Sequence, residues 1–380
     1  MHPIRRGSHL PHGLKLALSL LAVALIVTVV PAYGFLSQSP GFGHSDSRAQ
    51  GADSDDSLAA SSSGEPEVIR MSFVGDVNLA EGWGADVAHN NGGRIDAAFS
   101  LDILQHMRSA DIFYANHEFA MSDRGEALPK HYTFRADAAF VDYWSQMGVD
   151  VVGLANNHSY DYGPDAFLDT LNLLKSNGVK YVGAGMDLDE AMTPLCFTFD
   201  DYTIAFVAAD RSQKGDEIRA QAAGAGTPGV LFCFDDELFL TAVANARAMA
   251  DYVVAIPHWG TEMSTVLEPV QTELAYKLID AGADAVVGSH PHILQGLEFY
   301  QGKLIAYSLG NYWFNSVPTL TAILDIEIVH GEPRFRLTPA MQGEEQVYSA
   351  EQVTTEVLGF MRELSPTVAI SNDGYLSVYQ

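Results

Sequence analysis

Two histidines one residue apart, His290 and His292 in Gly288-Ser289-His290-Pro291-His292, follow the apolar run Ala285-Val286-Val287. Just beyond a buried strand, such a pair can turn two imidazoles into one cavity, as metal coordination requires. The same arrangement recurs along the chain. Asp76 follows Phe73-Val74-Gly75, and Asn116 and Glu118 follow Phe113-Tyr114-Ala115. Asn157 and His158 follow Gly153-Leu154-Ala155, and His258 follows Ala255-Ile256-Pro257. Singly, each has an ordinary explanation: Asn157 as a turn residue, Asp76 as a helix cap, His258 as a hydrogen-bonded core histidine. Five strand ends that all close on metal-ligand residue types argue instead for one shared site. The donors are oxygen and nitrogen with no thiolate, which suits one or two ions of Mn, Fe, Zn, Ni or Mg and disfavours iron–sulfur clusters or Cu(I). A carboxylate shared by two ions would clamp the attacking and leaving oxygens of a hydrolysis.

Short β-rich runs alternating with amphipathic segments must position these residues. Strands are expected at 68–74, 112–115, 149–154, 180–182, 203–208, 252–256, 285–288 and 303–308, with helices at 97–108, 138–147, 164–176, 236–249 and 269–281. The helix at 164–176 shows its period in Phe167, Leu168, Leu171 and Leu174, with Gly178 placed to end it. Such alternation predicts an α/β fold with largely parallel pairing, whose ligand crevice lies at the carboxyl ends of the strands. Two later strands, 321–329 and 334–339, follow one another without a helix, so the sheets are expected to be mixed. There is no Gly-rich phosphate loop, no Gly-x-Ser-x-Gly elbow and no internal repeat.

The chain has 380 residues and a net charge of −27, nearly all of it beyond residue 67. So acidic a surface, without a basic stripe, excludes nucleic acid as a partner. Cys196 and Cys233 are the two cysteines; they are compatible with one bridge or with two thiols. At the N-terminus, Arg5, Arg6 and Lys15 precede an apolar run, 16–30, broken only by Ser19 and Thr28. The pattern predicts a segment (1–36) that anchors the chain in the membrane with the remainder exported. Ala32-Tyr33-Gly34 also offers a signal-peptide cleavage site, in which case the protein would be secreted. Residues 37–67, rich in Ser, Gly and Asp, read as a solvated tether. The folded domain that carries the site is expected at 68–340, with a C-terminal extension at 341–380.

In series, Gly75-Asp76, Asn116-x-Glu118, Asn156-Asn157-His158, His258-Trp259-Gly260-x-Glu262 and Gly288-Ser289-His290-Pro291-His292 resemble the motifs of the capsule-synthesis CapA family. That family includes poly-γ-glutamate biosynthesis proteins and belongs to the calcineurin-like metallophosphatase superfamily. The resemblance runs from about residue 68 to 314 and implies a four-layer αββα sandwich of metallo-dependent phosphatase type with a dinuclear site. It implies Asp76 and His292 on one metal, Glu118 as the bridge, and Asn157, His258 and His290 on the other. His158 takes the place of the acid that protonates a leaving group. One departure stands out: Asp76-Val77-Asn78 lacks the histidine of the superfamily's first motif, leaving Asn78 or water to complete that metal.

Lys130, Tyr132 and Arg135, in one of the few basic clusters, are the expected contacts to an anionic substrate, with an ordinary polar loop as the alternative. Asn116, Asp161, Glu262 and Asn311 are expected to support the ligands. The implied function is an extracytoplasmic protein of capsule or poly-γ-glutamate biosynthesis that hydrolyses a phosphoester or an amide. Its partners would be an anionic polymer such as poly-γ-glutamate, or a phosphorylated precursor, and membrane synthase subunits. The competing reading is a non-catalytic polymer-binding or export subunit that uses the same cleft; a third, a phosphatase of unrelated substrate, fits the export signal poorly.

Overall fold

The computed structural model describes residues 68–84, 93–212 and 220–379. The expected membrane segment and tether, residues 1–67, lie outside the described residues. Among the described residues no helix is long and apolar enough to cross a membrane.

Two mixed sheets face each other. The first runs Val368–Ile370, Tyr375–Val378, Glu332–Gln342, Thr319–Val329, Val68–Val77, Ile112–His117, Val151–Gly153 and Lys180–Val182 in spatial order. Its last four strands are parallel, and the others are antiparallel. The second runs Leu297–Tyr300, Lys303–Ala306, Ala285–Val287, Tyr252–His258, Tyr202–Asp210 and Leu195–Phe199. Its four central strands are parallel and each edge strand is antiparallel.

The alternation of a strand's side chains decides which face meets which layer. Ile204, Phe206 and Ala208, with Val254 and Ile256, join the core shared with the first sheet. The intervening Ala205, Val207 and Ala209, with Val253 and Ala255, pack beneath the helices Glu237–Arg247 and Pro269–Asp280. Phe73 meets Phe206 across the interface, ring centroids 6.0 Å apart. On the opposite face of the same strand, Ser72 Oγ donates to Asp325 Oδ1 at 2.6 Å, and Asp325 also contacts His106 of the helix Leu101–Met107. Helices therefore lie outside both sheets, and the parallel strands of both sheets close on one end.

Two expected elements differ. The helix predicted at 97–108 is broken into Ile95–Ala98 and Leu101–Met107, because Phe99 is extended and bridges to Val347. Its ring is buried and packs edge-on to Trp313 at 5.1 Å, so tertiary burial overrides helical propensity. The segment at 138–147 begins as a 3₁₀ turn, Ala138–Val141, before the helix Asp142–Met147. Residues 341–379, expected as an extension, continue the same fold. Tyr375–Val378 pairs with Glu332–Gln342, and the helix Glu351–Leu364 buries Val353, Val357, Leu358 and Met361 in the main core. Cys196 and Cys233 are both free thiols.

Candidate metal centre

Parallel registry brings the first sheet's polar residues level with one another. Asp76 lies opposite Asn116 on one side and Asn311 on the other, and Asn116 lies opposite Gly153. Glycine at position 75 permits this approach: the Asp76 amide donates to Gly310 O at 2.9 Å, and a Cβ on Gly75 would fall 1.9 Å from that oxygen. In the second sheet His258 bridges to Ser289, which places the His290-Pro291-His292 turn directly over the strand ends. Gly288 is similarly constrained, since a Cβ there would lie 2.2 Å from Tyr307 O.

That turn is strained. His290 and His292 hold φ values of 98° and 62°, which L residues adopt rarely. Three contacts offset the strain: the His290 amide to Asp76 Oδ2 at 3.3 Å, Met263 N to Pro291 O at 2.9 Å, and Asn311 N to His292 O at 3.2 Å. Backbone strain held at the point where two imidazoles converge has the pattern of a preorganised site.

Two groups of side chains present ligand atoms within 4.8 Å of one another: Glu118, His258 and His290, and Asp76, Glu118 and His292. Glu118 belongs to both. Its Oε1 is buried, makes no hydrogen bond, and lies 3.7 Å from His258 Nε2 and 4.0 Å from His292 Nε2. A buried carboxylate oxygen left open and ringed by imidazole nitrogens suits a cation, because leaving it empty costs its desolvation. Asn157 Oδ1, 2.8 Å from His258 Nε2, adds an oxygen beside the first group. The chain's own residues thus fit a pair of ions that share Glu118.

Hydrogen bonds aim these ligands. Asn116 Nδ2 donates to Asp76 Oδ1 at 2.8 Å and to Glu118 Oε2 at 3.2 Å, and Asn156 Nδ2 contacts Asn116 Oδ1 at 3.3 Å. Asn311 Oδ1 lies 2.9 Å from His292 Nδ1. Ser289 Oγ, 2.9 Å from His258 Nδ1, can accept a hydrogen bond from Nδ1–H, which leaves Nε2 for a metal. The electrostatics follow. Burial, then the charge of Asp76, pushes the Glu118 carboxyl well above its usual range. Burial also acts to raise Asp76, but the hydrogen bond and charge of His292, and the charge of His258, hold it below the ordinary value. Burial opposes protonation of His292, yet its hydrogen bond to Asp76 and the Asp76 charge raise it.

His158 stands beside this group with Nε2 4.0 Å from Glu118 Oε1. Its Nδ1 lies 2.7 Å from Asp161 Oδ2. Asp161 also accepts from the Phe134 amide at 2.6 Å and pairs with Lys130 Nζ at 2.5 Å. A carboxylate so engaged only accepts, so His158 Nδ1 carries a hydrogen and Nε2 faces the cleft. Burial lowers the His158 pKa despite the charge of Asp161.

Two expectations need correction. Lys130 is no surface anion contact: its side chain is 4% exposed and its ammonium holds Asp161 and, at 2.6 Å, Asn157 O. Arg135 donates from Nη2 to Arg124 O at 2.8 Å and Gly125 O at 2.9 Å, with its guanidinium 3.6 Å above the Tyr162 ring centroid. Both residues brace the loops around the site. Asn78 Oδ1 accepts from Ala80 N at 2.9 Å within its own turn, and its Nδ2 is buried with no hydrogen-bond partner. Tyr132 is exposed near the cleft, and Glu262 Oε1 stands 3.9 Å from His290 Nε2.

The neighbouring His117 has a different character. Its ring stacks on Phe119 with centroids 3.9 Å apart, and burial pushes its pKa down to about 3, so it is a neutral core residue. Sequence reasoning gave no role to Ser289 and Asn156, although both lie inside the motifs, nor to Phe134 and Phe314, which pack on His158 and His292 with centroids 4.2 and 4.8 Å apart.

Residues 70–316, well over half of the chain, match the family model described as bacterial capsule synthesis protein PGA_cap. The chain belongs to this family. It is 33% identical to the PGA biosynthesis protein CapA of Bacillus subtilis over 281 residues, covering 72% of this chain and 71% of that one. It is 29% identical to the capsule biosynthesis protein CapA of Bacillus anthracis, covering 68% of this chain and 62%, less than two thirds, of that protein. Among solved structures, a phosphatase from Mycoplasma pneumoniae overlaps with a TM-score of 0.45 and 11% identity, over 73% of this chain and 95% of that one. All the strand-end motif residues of this PGA_cap chain, from Asp76 to His292, fall inside the matched span.

Proposed function

We propose that this PGA_cap protein is a dinuclear metal-dependent hydrolase of capsule or poly-γ-glutamate biosynthesis, built on a four-layer αββα sandwich of metallo-dependent phosphatase type. The observation that carries the reading is Glu118, common to both ligand groups, with an open buried oxygen and His158 alongside. Divalent ions bound there supply a Lewis acid and lower the pKa of an attacking water. Asp76 and His292 would hold one ion, and Asn157, His258 and His290 the other. Asp161 holds the Nδ1 hydrogen of His158 and turns Nε2 to the cleft. Once the ring is an imidazolium, which burial opposes and the Asp161 charge favours, Nε2 can give its proton to a departing oxygen or nitrogen and return to the neutral ring. The substrate is a phosphoester or amide of an anionic polymer, such as poly-γ-glutamate, or of its phosphorylated precursor. The domain works outside the cytoplasmic membrane, anchored through residues 1–36 beside synthase subunits.

One feature favours the second reading, a polymer-binding or export subunit. Asn78 stands where related hydrolases have a histidine, so the first ion would have a single imidazole, His292, beside Asp76 and Glu118. The two readings separate at His158. For a hydrolase, His158→Ala retains metal and loses activity about 10²–10⁴-fold on a phosphoester or γ-glutamyl amide panel, whereas Asn157→Ala loses metal as well. If His158→Ala leaves both hydrolysis and capsule formation unchanged, the catalytic reading falls and the binding role stands.

A further inference from the structure

An aromatic surface begins at the candidate centre and runs out to solvent. Phe134 packs on His158 and Phe314 on His292, and the two phenyl rings meet at 5.5 Å. Trp83 crosses both edge-on, at 4.7 Å from Phe134 and 5.8 Å from Phe314. Tyr132 extends the series, 6.0 Å from Trp83 and 53% exposed. Phe134 and Phe314 are buried, while Trp83 is partly open.

This arrangement is more than core closure. A core ring is enclosed on all sides, whereas this series keeps an indole and a phenol open, one ring beyond the histidine assigned as the acid. The nearby cations do not compete for the same ground, since Lys130 and Arg135 are turned inward onto Asp161 and onto backbone carbonyls. We propose that Trp83 and Tyr132, backed by Phe134 and Phe314, form a subsite for a planar or apolar segment of the leaving group. Methylene pairs and amide planes, or an aryl ring, are its ligand class; a bare phosphate or carboxylate is not. The proposal rests on the proposed role of His158, because a group protonated there departs along this wall.

The fluorescence of Trp83 provides a readout independent of turnover. Trp144, Trp259 and Trp313 are 0%, 0% and 3% exposed, so an aqueous quencher such as acrylamide reaches chiefly Trp83 among the four tryptophans. Phenylphosphonate and methylphosphonate carry the same charged head and differ only in the group offered to the wall. On Mn-loaded protein, phenylphosphonate should bind roughly three- to tenfold more tightly and should shield Trp83 from acrylamide. Trp83→Leu, read by calorimetry, should bring the phenyl-to-methyl ratio near one while leaving methylphosphonate affinity unchanged. Tyr132→Ala, an exposed position that the fold tolerates, should lower the ratio and the shielding together. Benzyl alcohol on chelated protein isolates the wall from the metal. Shielding by benzyl alcohol that Tyr132→Ala removes, with neither phosphonate bound, would sustain the wall and sink the metal reading. Measurable but equal affinity for the two phosphonates, or no shielding of Trp83 by either aryl probe, overturns the proposal.

Discussion

Replacing Lys130 with methionine separates a substrate contact from a structural ion pair. The Lys130 and Asp161 side chains are 4% and 0% exposed and lie 2.5 Å apart, so the pair is closed from water. Lys130→Met keeps the stem's volume but leaves Asp161 charged, with the Phe134 amide and His158 as its remaining partners. Removing one member of a buried pair costs about 3–5 kcal/mol, far more than the ~0–1 kcal/mol of an exposed pair. At about 2 °C per kcal/mol for a domain of this size, thermal unfolding should fall by about 6–10 °C. Adding Asp161→Asn to Lys130→Met removes the stranded charge, and the double variant should recover part of that loss, with a coupling of about 1–3 kcal/mol. Differential scanning calorimetry on the four members of the cycle gives the numbers. An unchanged melting temperature for Lys130→Met, with selective loss of affinity for an anionic ligand, would refute the buried-pair reasoning and restore Lys130 to the substrate.

Gly75→Ala puts a methyl 1.9 Å from Gly310 O, where only backbone can give way; it should destabilise the fold by about 3 kcal/mol and weaken metal binding through the displaced Asn311–His292 contact, measured by melting and by metal titration. A normally stable Gly75→Ala protein that retains metal would contradict this close packing. An alkaline phosphatase reporter fused after Gln380, which works only outside the cytoplasm, should be active in cells, whereas a cytoplasmically active reporter at that position would reverse the proposed topology.

The residues most legible in the sequence were those at strand ends, because a polar residue that interrupts an apolar run has few reasons to be there. Asp76, Glu118, Asn157, His258, His290 and His292 all come within one cleft for that reason. Most parallel strands of the two sheets were equally legible from their apolar runs, but Asn311–Trp313, parallel to Val68–Val77, was not expected. What the sequence concealed was the use of a side chain once it meets distant neighbours. Lys130 and Arg135 looked like anion contacts because they are basic in an acidic chain, yet Asp161 and the Arg124–Gly125 carbonyls claim them. Phe99 sat within a helical pattern, but its burial against Trp313 broke the helix. The aromatic wall is assembled from positions 83, 132, 134 and 314, whose spacing has no periodic signature. The C-terminal strands join the first sheet by antiparallel pairing that no local pattern at 368–378 announces.

The central claim is that Glu118 is shared by two ions, and metal content tests it most directly. Inductively coupled plasma analysis of protein purified without added metal should find one to two equivalents of a first-row divalent ion, rising to two on reconstitution. Glu118→Ala should retain neither, because Glu118 belongs to both ligand groups. Asp76→Ala and His290→Ala should each retain about one, by losing different sites. If the wild-type protein holds no divalent metal and shows no rise in melting temperature on adding Mn, Fe, Ni or Zn, or if Glu118→Ala still holds two equivalents, the shared-carboxylate account is wrong.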